Sequence, residues 1–126
     1  MFWDRVAGVY DLFVNVINGK THKALRQIVS DLIGPEDVVL ECACGTGLLS
    51  TVIAEKCKQL TATDFAPKML KHAEKNCAEY KNVQFRQANI LSLDFPNSSF
   101  DKVVAGNVIH LLDEPIKALN ELDRVY

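Results

Sequence analysis

The chain has 126 residues, 48% hydrophobic and 24% charged, which is enough for one domain with a real core and too little for two ordinary ones. Lys and Arg total 14 against 16 Asp and Glu, a formal net charge of -2. That balance excludes nucleic-acid or lipid binding driven by bulk charge, so neither nucleic acid nor membrane is an expected partner. No stretch approaches the roughly 18 consecutive apolar residues of a membrane span. Asp4 and Arg5 interrupt the start where a secretory signal would be basic and then apolar, so the expected location is cytoplasmic.

The first clear periodicity is Leu25, Ile28, Val29, Leu32 and Ile33, an amphipathic helix stopped by Gly34-Pro35. Val38-Val39-Leu40 is a short apolar run, the pattern of a strand buried on both faces. Small residues follow (Ala43, Gly45, Gly47), and Leu48, Leu49, Val52 and Ile53 open a second helix. Leu60 to Thr63 is a second strand. Pro67 sits where an early helical proline is tolerated, ahead of a stripe through Met69, Leu70, Ala73, Cys77 and Tyr80. Val83 to Ala88 alternates weakly as a third strand, and Phe100 to Gly106 is a fourth, buried one. Pro115 starts a last helix carrying Ile116, Leu119, Leu122 and Val125.

Strands alternating with helices predict an α/β fold, with a parallel sheet covered on both faces. Right-handed crossovers make it a doubly wound, Rossmann-like sheet with strands in the order 3-2-1-4. Ligands of such sheets bind beyond the carboxyl ends of the strands. Those ends hold Glu41 to Gly47, Asp64-Phe65, Ala88-Asn89 and Gly106-Asn107.

The cysteines Cys42, Cys44, Cys57 and Cys77 are expected as free thiols. Cys42 and Cys44 form a C-x-C pair, but no second pair follows at zinc-like spacing and the histidines are scattered. Small buried residues lining a tight loop are the expectation, and no metal.

The glycine-rich turn from Glu41 to Gly47 joins a strand to a helix start, which supplies free N–H groups and a partial positive charge. Asp64 ends the next strand, where a carboxylate can accept both hydroxyls of a ribose; alternatively it caps the helix before Pro67. Two nucleoside ligands fit, a dinucleotide or S-adenosylmethionine. Gly45-Thr46-Gly47-Leu48-Leu49-Ser50 lacks the third glycine of a dinucleotide fingerprint. Glu41 would repel a pyrophosphate and suits a ligand bringing an ammonium group. The electrostatics favour S-adenosylmethionine.

VVLECACGTGLLSTVIAEK resembles the first motif of class I S-adenosylmethionine-dependent methyltransferases, acid-x-Gly-x-Gly-x-Gly. Glu41 matches the acid and Gly45 and Gly47 two glycines. Ala43 replaces the first and adds a methyl where the cofactor's methionyl part would pass. Cys44 lies within the same motif. TATDFAPKML is similar to the second motif, which implies Asp64 on the ribose and Phe65 and Met69 flanking the adenine. QANILSLDFPNSSFDKVV resembles the third and fourth, with Asn89 at the adenine amino group and Ile90 on the ring.

FWDRVAGVYDLFVNVINGKTHKAL is similar to the N-terminus of ubiquinone/menaquinone-biosynthesis-type methyltransferases. The likeness implies a helical lid over residues 1–21, with Tyr10 in the segment that closes over the cofactor. Read alone, Trp3, Tyr10 and Phe13 are an amphipathic helix packing on the sheet.

The resemblance therefore implies an enzyme that transfers a methyl group from S-adenosyl-L-methionine to a small-molecule acceptor such as a quinone precursor. The rivals are a nicotinamide-dependent oxidoreductase and a non-catalytic remnant. His110 is a candidate general base by location, and Asn107 is placed to line the cofactor or acceptor pocket; no catalytic residue is singled out. Family members continue past a helix like Glu114–Val125 into further strands. The expectation is thus a fragment or truncated product, whose Phe100–Gly106 strand is an edge with poorly covered side chains, open to self-association.

Overall fold

The structure, a computed structural model, describes residues 22–105 and 113–126. Its elements are α1 (His22–Leu32), β1 (Val38–Cys42), α2 (Leu48–Lys56), β2 (Gln59–Asp64), α3 (Pro67–Asn76), β3 (Val83–Gln87), β4 (Lys102–Ala105) and α4 (Pro115–Val125). The four strands are all parallel and lie in the order β3-β2-β1-β4. That is the predicted order.

Alternation along each strand divides two apolar clusters between the sheet's faces. Val39, Leu60, Ala62 and Val104 meet Val29 and Ile33 from the α1 region, Ile53 and Ala54 of α2, and Leu70 and Ala73 of α3. On the other face Leu40, Cys42, Val103 and Ala105 meet Leu119, Leu122 and Val125 of α4. Leu40, Ile53 and Leu60 are 0% exposed, a degree of burial worth about 1.5–3 kcal/mol for each such side chain.

Several boundaries differ from the sequence reading. β1 runs on through Glu41 and Cys42 because both stay in the ladder, opposite Val104 and Ala105. β2 likewise extends to Asp64, which pairs with Gln87. α3 stops at Asn76, so Cys77 and Tyr80 leave the expected stripe. Cys77 caps the helix, its N–H donating to the Ala73 carbonyl, and Tyr80 sends its hydroxyl to Glu55 Oε1 at 2.6 Å. Leu32, expected on the buried stripe of α1, is half exposed. Coverage on both faces holds for β1 and fails at β3, where Gln84, Arg86 and Gln87 are exposed.

The expectation for β4 needs a larger correction. Among the described residues no strand pairs with its outer edge, but its side chains are well covered: Val103 and Val104 are only 4% and 6% exposed. The cause is local, since α4 packs on Val103 and the α1–α3 layer on Val104. Among the described residues no helix is long and apolar enough to cross a membrane.

Candidate functional site

The turn after β1 is built on three left-handed residues, Ala43 (φ 56°), Gly45 (φ 57°) and Gly47 (φ 91°). Gly47 leaves no room for a side chain: an added Cβ would sit 3.2 Å from Ala73 Cα and 3.4 Å from Cys77 Sγ. Gly45 is open, with nothing within 4 Å of such a Cβ. The loop is tied to the end of β2. The Cys44 N–H donates to the Thr63 carbonyl at 2.9 Å, and the Gly45 N–H to Asp64 Oδ2 at 2.9 Å. The second oxygen of Asp64 accepts the Ala66 N–H at 2.9 Å, at the N-cap of α3. One carboxylate thus serves the glycine loop and the helix start together.

These ties frame a cleft of about 320 Å³ beyond the carboxyl ends of the strands, lined by Cys42, Ala43, Thr63, Asp64, Phe65, Ala88, Asn89, Ile90 and Leu91. Five residues expected on sequence grounds meet there: Ala43, Asp64, Phe65, Asn89 and Ile90. Cys42, Thr63, Ala88 and Leu91 have no cofactor-binding role in the sequence reading. The signal that could have found the first two is their position in the last residues of β1 and β2, at the sheet's ligand-binding edge. Asn89 is partly engaged, its Oδ1 accepting the Leu91 N–H at 2.9 Å.

Glu41, Cys44, Gly45, Gly47 and Met69 do not line the cleft. Met69 is 43% exposed on the first turn of α3. Gly45 and Gly47 shape the loop from behind. Strand alternation directs the Glu41 carboxyl toward α2, where it accepts the Ser50 hydroxyl. It is 1% exposed and, among the described residues, no cation pairs with it. Burial, with a smaller contribution from the Asp64 charge, pushes its carboxyl up to about 8.

Tyr10, Asn107, His110 and the expected lid over residues 1–21 lie outside the described residues. The four cysteines are free and buried. Burial raises each thiol, Cys42 to about 12, so all four keep their protons at neutral pH and offer no thiolate nucleophile. Among the described residues no cluster of three or more His, Cys, Asp or Glu could hold a metal ion.

Ala43 is the strained member of the loop. A non-glycine residue in the left-handed region costs roughly 1–2 kcal/mol, and glycine gives back about 0.5–1 kcal/mol of that through its freer unfolded state. Ala43→Gly is therefore expected to stabilise the chain by about 0.5–1 kcal/mol. An unchanged or lower thermal midpoint would show that the loop carries no strain at this position.

The sequence profile of the methyltransferase domain family matches residues 40–126. The chain is 32% identical over 128 residues to the ubiquinone/menaquinone biosynthesis C-methyltransferase of Bdellovibrio bacteriovorus, covering 98% of this chain and 54% of that protein. It is 28% identical over 129 residues to the demethylmenaquinone methyltransferase of a Staphylococcus epidermidis strain, covering 98% and 53%. The fold is similar to the YcgJ protein of Bacillus subtilis, with a TM-score of 0.76 and 26% identity over 83% of this chain and 46% of that one. The chain spans about half the length of the curated relatives it matches. With the glycine turn, the acidic end of β2 and the cleft they frame all falling within the matched residues, the chain belongs to the methyltransferase domain family.

Proposed function

We propose that the cleft binds S-adenosylmethionine and that the protein transfers its methyl group to a small-molecule acceptor, with a quinone-type ring as the acceptor class. The observation that carries this reading is the meeting, in one cleft, of the Asp64 carboxylate, the left-handed turn at Ala43 and an apolar wall from Ala88 to Leu91. The residues present fit the group. Each Asp64 oxygen already accepts one backbone N–H and keeps a second lone pair, so two ribose hydroxyls can be taken. Phe65, 69% exposed at the rim, and Ile90 would flank the adenine, with Asn89 at its amino edge. The described lining carries no Lys or Arg to meet a pyrophosphate, which counts against a dinucleotide.

When bound, the sulfonium supplies an activated methyl group. Asp64, Phe65, Asn89 and Ile90 would hold the cofactor while its methyl group would pass to a nucleophilic atom of the acceptor, with S-adenosylhomocysteine as the leaving product and the acceptor's proton released to solvent or a base. What these residues contribute is positioning and exclusion of water. Glu41 sits behind the loop in this reading and supports the turn. The acceptor class rests on the quinone-pathway names of the relatives.

Calorimetry with S-adenosylhomocysteine and with NADH tests the cofactor. Uptake of the first in preference to the second is expected. Tighter NADH binding would overturn the reading.

A further inference from the structure

The apolar wall of the cleft is not itself part of the ladder; it is the start of the long connection between β3 and β4. Its near end is held by the Ala88 N–H, which donates to the Asp64 carbonyl at 3.1 Å. Its far end is held by two side chains of α4, the helix on the same face of the sheet. Glu121 Oε2 accepts the Leu93 N–H at 2.7 Å, and Arg124 Nη2 donates to the Leu93 carbonyl at 2.7 Å. Arg124 Nη1 reaches further along the same connection, donating to the Phe95 carbonyl at 2.6 Å and to Asn97 Oδ1 at 3.0 Å. Glu121 fixes this guanidinium through two contacts, Nε to Oε1 at 2.8 Å and Nη2 to Oε2 at 3.0 Å. The pairing holds the Glu121 carboxyl below its ordinary range. Neither side chain lines the cleft.

We propose that Arg124, held by Glu121, is a positioning residue for the cleft, setting the Asn89–Leu91 wall by fixing the chain immediately behind it. The reasoning is geometric. The wall is tied through Asp64 at one end and Leu93 at the other, and between those ties it is held by the Ser92 N–H to the Asn89 carbonyl at 3.0 Å and by the packing of Ala88 and Ile90 on the α4 side of the sheet. A planar guanidinium with five donors can span two carbonyls, an amide oxygen and a carboxylate at once; a lysine ammonium cannot. Removing the fork releases the Leu93, Phe95 and Asn97 oxygens and loosens the tie at the wall's far end.

This inference rests on the cleft being the cofactor site, and the experiment separates the two. The whole 126-residue chain, labelled with nitrogen-15, is compared with Arg124→Lys and with the milder Glu121→Gln. In both variants the amide resonances of Asn89–Leu91 should move while those of Gly45 and Gly47 stay. S-adenosylhomocysteine should bind roughly 3- to 30-fold more weakly to Arg124→Lys, and less so to Glu121→Gln. Folded variants whose wall resonances stay in place, or whose resonances move with affinity unchanged, would overturn the proposal. If the unaltered chain takes up no S-adenosylhomocysteine, the cofactor reading falls on its own, and the resonances alone then decide on the brace.

Discussion

Asp64→Ala should weaken S-adenosylhomocysteine binding by at least about tenfold and lower the thermal midpoint in the same variant. Both effects come from one carboxylate. In the structure its oxygens take the Gly45 and Ala66 N–H groups, so removing it unties the glycine loop from β2 and leaves the Ala66 N–H, just before α3, without its acceptor. Hydrogen bonds to a charged acceptor contribute roughly 1.5–3 kcal/mol each, less what water restores at this half-buried position. In the bound state the two ribose hydroxyls would lose their acceptor as well, and a loss of one such bond is already about tenfold. Asp64→Asn keeps one oxygen and should fall between the alanine variant and the native chain. Calorimetry and melting read the two effects separately. Affinity unchanged in a variant that melts lower would reduce Asp64 to a structural tie.

Glu41 governs the second large effect, which is on stability alone. Its carboxyl stands at about 8 in the folded chain against 4.5 in the unfolded one. Between those values the folded chain holds a proton that the unfolded chain has released. Stability contributed by the neutral form is therefore complete below 4.5 and lost as pH rises through about 8, at up to about 1.4 kcal/mol per pH unit. Asp37 and Glu121 work in the opposite sense. Lys102 and Arg124 hold their carboxyls low, so their contribution is lost only on the acid side. The chain should melt at a clearly lower temperature at pH 8 than at pH 5.5. Glu41→Gln, neutral throughout, should flatten that slope while still accepting the Ser50 hydroxyl. A wild-type midpoint that does not fall over this range would mean that Glu41 is ionised in the fold.

Period and composition were enough to find the strands, because β1 and β4 are buried on both faces and each helix buries one stripe, while their 3-2-1-4 order came from the doubly wound topology that the family resemblance implies. The same reasoning missed where α3 stops, since Cys77 and Tyr80 keep the helical spacing while their backbone has already turned. At the site, Asp64 and Ala43 were legible because a carboxylate and a small residue at strand ends carry chemistry by type. Glu41 shows how far residue type alone reaches. Residue type marked it as a ligand group, and only its place in the β1 ladder shows that it points at Ser50. For Arg124 only the Glu121 pair three residues earlier was readable, because its other partners are backbone carbonyls and an asparagine distant in sequence.

The strand order also fixes what chain entropy permits. The β1–β2 and β2–β3 ladders join Val38 to Gln59 and Leu60 to Val83, whereas β4 is stitched to β1 between residues 63 positions apart. Closing a loop about three times longer costs about 1 kcal/mol more, so the two short crossovers are the cheaper closures and β4 the dearer one. Among the described residues, those lining the cleft all lie between Cys42 and Leu91, from the end of β1 to the first residues after β3. The helix that braces the cleft comes from beyond the long one. Among the described residues the cleft is thus built by the locally closing part of the chain, and its brace comes from the part that closes at long range.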